Sequence, residues 1–119
     1  MSELRIGKNI ALRLAELGSA VIAIAQGVPG GAGQRHLSQQ LLRAGTACGA
    51  NYEEARAAES RADFVHKVSL AAKEARETVY WLRLIQARQP SAAIERAIDE
   101  ASQLAAILTA SARTARKNS

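Results

Sequence analysis

The stretch from Arg61 to Arg88 contains neither Gly nor Pro, and it constrains the fold more than any other feature of the chain. We predict that it forms one amphipathic helix, about 40 Å long at about 1.5 Å per residue. Its inward positions recur at steps of four and three, which keeps them on one side of an α-helix: Phe64, Val68, Ala71, Ala75, Thr78, Leu82 and Ile85. Such a stripe needs partners of similar length, so the sequence predicts a helical bundle.

Three further segments show the same periodicity, and breaks at 27–33, around Ser60 and at 89–91 separate them. Gly and Pro disfavour helix continuation. Ser60 or Asp63 is the candidate N-cap of the third helix, and Ser91 that of the fourth. Because the connections are short and no strand pattern occurs, we expect an all-α, antiparallel up-and-down four-helix bundle. The chain is predicted to be a single domain, residues 1–119, with helices at about residues 4–26, 35–59, 61–88 and 91–115.

The first predicted helix has a wide apolar face made of two adjacent stripes. Ile10, Leu14, Leu17, Val21 and Ile24 form one stripe, and Ala11, Ala15, Gly18, Ile22 and Ala25 form the other. A face of this width contacts more than one neighbour, either within the bundle or across a subunit boundary.

The composition and net charge of the chain limit the compartments and the partners that it can have. The chain has 16 Lys and Arg against 11 Asp and Glu, a net charge of +5, which permits a polyanionic partner without requiring one. A lone Cys48 excludes an intramolecular disulfide, and its inward phase predicts buried packing. The uncharged run 17–34 ends in G-V-P-G-G-A-G, which cannot cross a bilayer as a helix, and no secretory signal is recognisable. We therefore expect a cytoplasmic protein without a membrane contact.

Two features inside the second and third helices need an explanation. Gly45 and Gly49 lie one turn apart, which predicts a close approach by another backbone or a bulky side chain. Trp81 or Tyr80 is the expected side chain. A polar cluster of Arg43, Asn51 and Glu74 is also expected, because Asn51 points inward and Glu74 lies at the edge of the apolar stripe. We interpret this cluster as structural, fixing the register between helices.

The sequence offers no recognisable catalytic or cofactor site. A di-iron bundle needs a Glu from each of two helices and Glu-x-x-His from the other two, whereas this chain offers one Asp63-x-x-His66 together with Glu53 and Glu54. The glycines at 27–33 lack the Gly-Lys-Ser/Thr of a phosphate-binding loop, and no Ser or Cys lies in a nucleophile context. We predict a protein that is not an enzyme, with no catalytic residue, cofactor or metal.

Binding of nucleic acid is predicted to be mainly electrostatic. The sequence shows no aromatic cluster of the kind that single-strand readers use as a stacking platform. At the end of the last helix, basic side chains also oppose the helix dipole, so a structural role for them stays open. The candidate contacts are Arg35, Arg43, Arg56, Arg61, Arg113, Arg116 and Lys117.

The two central helices resemble a known family. The segment 41–55, L-L-R-A-G-T-A-C-G-A-N-Y-E-E-A, and the segment 61–85 are similar to bacterial four-helix-bundle proteins encoded in 23S rRNA intervening sequences. That family includes the accessory variability determinants of diversity-generating retroelements. The residues that carry the resemblance are Arg43, Ala44, Gly45, Thr46, Gly49, Ala50, Asn51, Glu53, Glu54, Asp63, Phe64, Lys67, Ala71, Lys73, Glu74, Glu77, Tyr80, Trp81 and Leu82.

The resemblance implies a cyclic homopentamer with a basic surface. In the retroelement branch, relatives bind a reverse transcriptase and its template RNA, whereas most intervening-sequence members have no established role. The leading hypothesis is a non-enzymatic oligomeric scaffold that associates with RNA or a ribonucleoprotein. The alternative is a protein-only helical interaction module that binds no nucleic acid. The sequence leaves open the family branch and the identity of any RNA or protein partner.

Overall fold

The computed structural model describes residues 2–118, and over these residues the chain forms four α-helices and no strand. Their bounds are Glu3–Gln26 for α1, Ala32–Arg56 for α2, Arg61–Arg88 for α3 and Ala92–Lys117 for α4. The connections 27–31, 57–60 and 89–91 are so short that successive helices pack side by side in opposite directions. The prediction of an all-α fold with four helices is confirmed.

Serine side chains begin three of the helices. The Oγ atoms of Ser2, Ser60 and Ser91 each accept a hydrogen bond from the backbone N–H three residues later, at 3.2, 3.0 and 3.1 Å. Each bond satisfies one of the backbone donors that a helix leaves unpaired at its start. The predicted caps at Ser60 and Ser91 therefore form.

The bounds of α2 differ from the expected 35–59. The helix begins at Ala32, so residues 27–31 suffice for the connection from α1. The chain turns at Gly31, whose φ of 131° is a conformation that favours glycine. It ends at Arg56, where the N–H groups of Ala57 and Ala58 turn back to the carbonyls of Glu54 and Ala55. The stretch 57–60 is thus used as the connection to α3, although its alanines favour helix.

The core lies between the four inward stripes. Each helix packs on its neighbours in the sequence, and α1 also packs on α4, which closes the bundle. The α1–α4 contact is the least extensive of the four, and α1 and α3 lie diagonally opposite each other. Leucines fill the centre and small alanines let the helices approach closely. The largest fully buried side chains are Leu14, Leu41, Leu82, Ile85, Leu104 and Leu108.

The glycines of α2 accommodate α1 and not the aromatic residues of α3. A Cβ atom added to Gly45 would lie 2.6 Å from Val21 Cγ1, and one added to Gly49 would lie 3.5 Å from Leu14 Cβ. The expectation that Trp81 or Tyr80 fills this space was therefore wrong. The two glycines predicted the close approach, but which residues fill the space depends on which helix packs on this face of α2.

The second apolar stripe of α1 is only partly covered. Ile10, Leu14, Leu17 and Val21 of the first stripe are buried, and so are Gly18 and Ala25 of the second, whereas Ala15 and Ile22 are exposed. By length and composition α1 is also apolar enough to cross a membrane. That is weak evidence, because a core helix of a soluble protein meets the same criterion, and one face of α1 packs in this core.

Candidate nucleic-acid interface

One outward stripe of α3 carries three cations and an exposed ring, and we call it the α3 outer stripe. It consists of Lys73, Arg76, Tyr80 and Arg83, which follow one another at steps of three and four and are all exposed. The cations of the stripe form no ion pair with the residues that the structure describes, and Arg76 Nη1 donates to Thr109 Oγ1 at 3.1 Å. The stripe therefore presents unneutralised positive charge to solvent.

The end of α4 extends this charge. Because α3 and α4 are antiparallel and Arg76 contacts Thr109, Arg113 lies level with Lys73. Arg61 Nη1 also donates to the carbonyl of Ala115 at 3.4 Å, which fixes the start of α3 against the end of α4. Arg61, Arg113, Arg116 and Lys117 thus gather at one end of the bundle, next to the α3 outer stripe.

The other predicted contacts lie elsewhere or are already paired. Arg35 is exposed near the start of α2, at the opposite end of the bundle. Arg56 Nη1 lies 3.0 Å from Glu53 Oε1. Arg43 donates to the carboxylates of Glu74 and Glu77, so that two negative charges surround it. Arg43 and Arg56 are therefore poorer phosphate contacts than their sequence positions suggested.

Arg43 is the centre of a polar cluster between α2 and α3. Its Nη1 lies 3.2 Å from Glu74 Oε1, its Nη2 donates to Glu77, and Trp81 Nε1 donates to Glu77 Oε1 at 3.4 Å. The hydrogen bond from Arg43 lowers the pKa of Glu77, whereas burial raises the pKa of Glu74. Both carboxylates face one guanidinium, which is the arrangement expected of a register-fixing contact.

The expected membership of this cluster needs a correction. Asn51 Nδ2 donates to the carbonyl of Ala47, one turn earlier in its own helix, at 3.0 Å. Its amide is therefore satisfied locally and does not bond to Arg43 or Glu74. Glu77 and Trp81 take its place, since they lie one turn apart on α3, on the side that faces Arg43.

An aromatic cluster lies beside the polar one, contrary to the expectation from sequence. The Trp81 ring makes edge-on contacts with His36 of α2 and with Tyr80, at centroid distances of 5.7 and 5.0 Å. His36 and Trp81 are far apart in the sequence, so the cluster exists only because α2 packs against α3. Tyr80 is 55% exposed and belongs to both this cluster and the α3 outer stripe.

The structure offers little for metal or thiol chemistry. Among residues 2–118, no three His, Cys, Asp or Glu side chains come together as a metal site. Cys48 is buried, donates to the carbonyl of Ala44 at 3.2 Å, and has its pKa raised to about 11 by burial. A protonated, enclosed thiol is a poor nucleophile, which agrees with a packing role.

Sequence reasoning missed Lys73, Arg76 and Arg83 as candidate contacts. Their signal was present, because steps of three and four place them on one side of α3, opposite its apolar stripe. Most of the predicted contacts lie instead near predicted helix ends. Periodicity applied to the charged residues, as it was to the apolar ones, would have found the stripe.

Comparisons with known proteins agree with the resemblance in α2 and α3 and extend it. The family model for 23S rRNA-intervening sequence proteins matches residues 9–110, which include parts of all four helices. A solved protein of unknown function from the S23 ribosomal protein family of Bacteroides thetaiotaomicron VPI-5482 is 30% identical. Its match covers 85% of this chain and 95% of that chain, with a TM-score of 0.76. No curated protein matches.

Proposed function

The chain belongs to the family of 23S rRNA-intervening sequence proteins, and on this basis we propose that it is a non-enzymatic, oligomeric scaffold that associates with RNA or a ribonucleoprotein. The observation that carries the proposal is the unpaired charge of the α3 outer stripe, continued by Arg113, Arg116 and Lys117. Unpaired surface cations release the counterions of a phosphate backbone and so drive sequence-independent binding.

Self-association is the second part of the proposal. On α1, Leu12, Ala15, Ser19 and Ile22 form an exposed, charge-free stripe, with Leu12 53% and Ile22 42% exposed. We propose that copies pack through this stripe, as a cyclic homopentamer of the kind that the family resemblance implies. A closed ring repeats every basic patch around its axis and multiplies the charge of +5 per chain.

The resemblance to accessory variability determinants suggests a particular partner. In that branch the ribonucleoprotein would be a retroelement reverse transcriptase with its template RNA. A reverse-transcriptase gene beside this reading frame, and co-purification of the two proteins in an RNase-sensitive manner, would support this partner. We propose a cytoplasmic location, where such a complex would assemble.

Salt-dependent RNA binding tests the proposal. The affinity for a structured RNA is expected to fall steeply between 50 and 200 mM salt, and K73Q/R76Q/R83Q should flatten the log–log slope by about 2 to 3. The matched control R35Q/R88Q/R96Q removes the same charge from exposed positions at the opposite end of the bundle. It should leave the slope closer to that of the wild type.

Two results would contradict these expectations. If the wild-type protein binds no RNA at 50 mM salt, the RNA association is refuted and the protein-only interaction module becomes the better description. If both triple variants change the slope equally, the α3 outer stripe is not the contact surface. Circular dichroism of both variants would show whether the helices remain intact.

A further inference from the structure

Tyr80 is unusual because a large ring is left in solvent on a chain with few aromatic residues. It is 55% exposed, whereas Phe64 and Trp81 of the same helix are partly buried against the core. Tyr and Trp are enriched at interfaces, because each combines a large apolar ring with a polar group.

The Tyr80 ring contacts Trp81, and contacts from both helices hold Trp81 in place. Trp81 meets Tyr80 edge-on, with 70° between the ring planes, and meets His36 at 84°. Trp81 is in turn tethered to Glu77, and Glu77 is held by Arg43. The polar cluster therefore orients Trp81, and Trp81 supports Tyr80. A ring that is already positioned loses little conformational entropy when a ligand stacks on it.

The charge around Tyr80 selects the class of ligand. Arg76 lies one turn before it and Arg83 one turn after it on the exposed stripe, with Lys73 a further turn away. Three cations disfavour an ammonium ligand, which an aromatic cage would otherwise accept. They favour an anion that also has a flat apolar part. A nucleotide, with its base and phosphates, has both properties.

The spacing of the two arginines suits a strand of nucleotides. Seven residues separate Arg76 from Arg83, which is about 10 Å along the helix axis. Consecutive stacked nucleotides of one strand advance by about 3.4 Å, so this distance corresponds to about three nucleotides. A paired base is covered on both faces by its neighbours, whereas an unpaired base can leave the stack and meet a side chain.

We propose that Tyr80, supported by Trp81 and His36, stacks on an unpaired base of single-stranded RNA while Arg76 and Arg83 contact the flanking phosphates. The inference rests on the proposed RNA association and specifies the site and the RNA form. It replaces a purely electrostatic interaction with one that has a stacking component.

The test compares three probes with the same number of phosphates: a single-stranded oligoribonucleotide, the same ribose-phosphate backbone without bases, and a blunt RNA duplex of half the length. Trp81 is the only Trp in the chain, so its fluorescence reports directly on the cluster. The single-stranded probe should change this fluorescence and bind more tightly than the abasic one. Y80A should lower the affinity for the single-stranded probe by about 5- to 150-fold, the range expected for loss of one stacking contact.

The controls separate stacking from charge and from folding. Y80F keeps the ring and should bind the single-stranded probe like the wild type. Y80A should leave the affinities for the abasic and duplex probes and the salt slope unchanged, because it removes no charge. The exposed position of Tyr80 makes loss of folding unexpected, and thermal unfolding of Y80A checks this.

The outcomes distinguish the two proposals. Equal binding of the base-containing and abasic strands, or Y80A binding like the wild type, overturns the stacking site while the RNA association stands. Failure of every probe to bind at 50 mM salt overturns both.

Discussion

At the scale of single residues, the two glycines of α2 form a matched pair with opposite expected effects. A Cβ on buried Gly45 would come within 2.6 and 2.8 Å of the two methyl groups of Val21, whose side chain is fully buried. Overpacking of this kind costs about 1–3 kcal/mol, which exceeds the gain of about 1 kcal/mol in helix propensity. Gly45→Ala is therefore expected to lower the free energy of unfolding.

Gly49→Ala is the control for this prediction. The added Cβ would make an ordinary contact, 3.5 Å from Leu14 Cβ, so the helix-propensity gain of up to about 1 kcal/mol remains. Urea unfolding of both variants beside the wild type measures the difference. Equal changes in the two variants would show that the packing of Val21 on Gly45 is not as tight as described.

The thiol of Cys48 gives a second prediction at this scale. Burial raises its pKa from 9.0 to about 11, so at pH 8 the side chain is neutral as well as enclosed. We expect a thiol reagent to modify one thiol per chain in urea and to react only very slowly with the folded protein. A native rate close to that of a free cysteine peptide would contradict the inward position of this side chain.

At the scale of helices, the sparse α1–α4 contact includes an ion pair between Arg13 and Glu100. Arg13 Nη2 and Nε donate to the two oxygens of Glu100 at 2.7 and 2.9 Å, and this interaction lowers the pKa of Glu100. A lowered pKa means that the stabilisation is complete above the ordinary value of 4.5 and is lost as the pH falls through the folded value.

Glu100→Gln should therefore destabilise the bundle at pH 7 and much less at pH 3. Both side chains are about one third exposed, at 34% and 33%, so solvent limits the effect to about 0.5–1 kcal/mol. Asp99→Asn removes a neighbouring exposed carboxylate that has no ion pair with the residues described, and it is the control. Urea midpoints at the two pH values make the comparison. The same loss at both values would mean that the ion pair contributes nothing.

At the scale of the whole molecule, the exposed stripe of α1 should determine the size of the assembly. A charged residue at the centre of an apolar contact is costly to bury without a partner, so Leu12→Glu and Ile22→Glu should each lower the mass measured by light scattering. Ala106→Glu, at an exposed position of α4, adds the same charge away from the stripe and should leave the mass unchanged. If the wild-type protein is monomeric at high concentration, the proposed self-association is wrong.

The positions of particular residues show how far sequence reasoning reached. The stripe from Val68 to Ile85 is buried as its spacing predicted, and Ser60 and Ser91 cap the helices that follow them. These features depend on periodicity and on backbone groups within one turn, so the sequence of each helix is enough to predict them. The part of the candidate site on α4 could also be predicted, because the charge of Arg113, Arg116 and Lys117 is evident from the sequence.

What the sequence by itself determined is the set of four amphipathic helices, because each needs only local spacing, capping and breaks. The tertiary structure decided which side chains meet: Val21 on Gly45, Glu77 in place of Asn51 beside Arg43, and His36 on Trp81. Those contacts depend on the relative rotation and register of neighbouring helices. Packing of the whole core sets both quantities, and no single stretch of the chain encodes them.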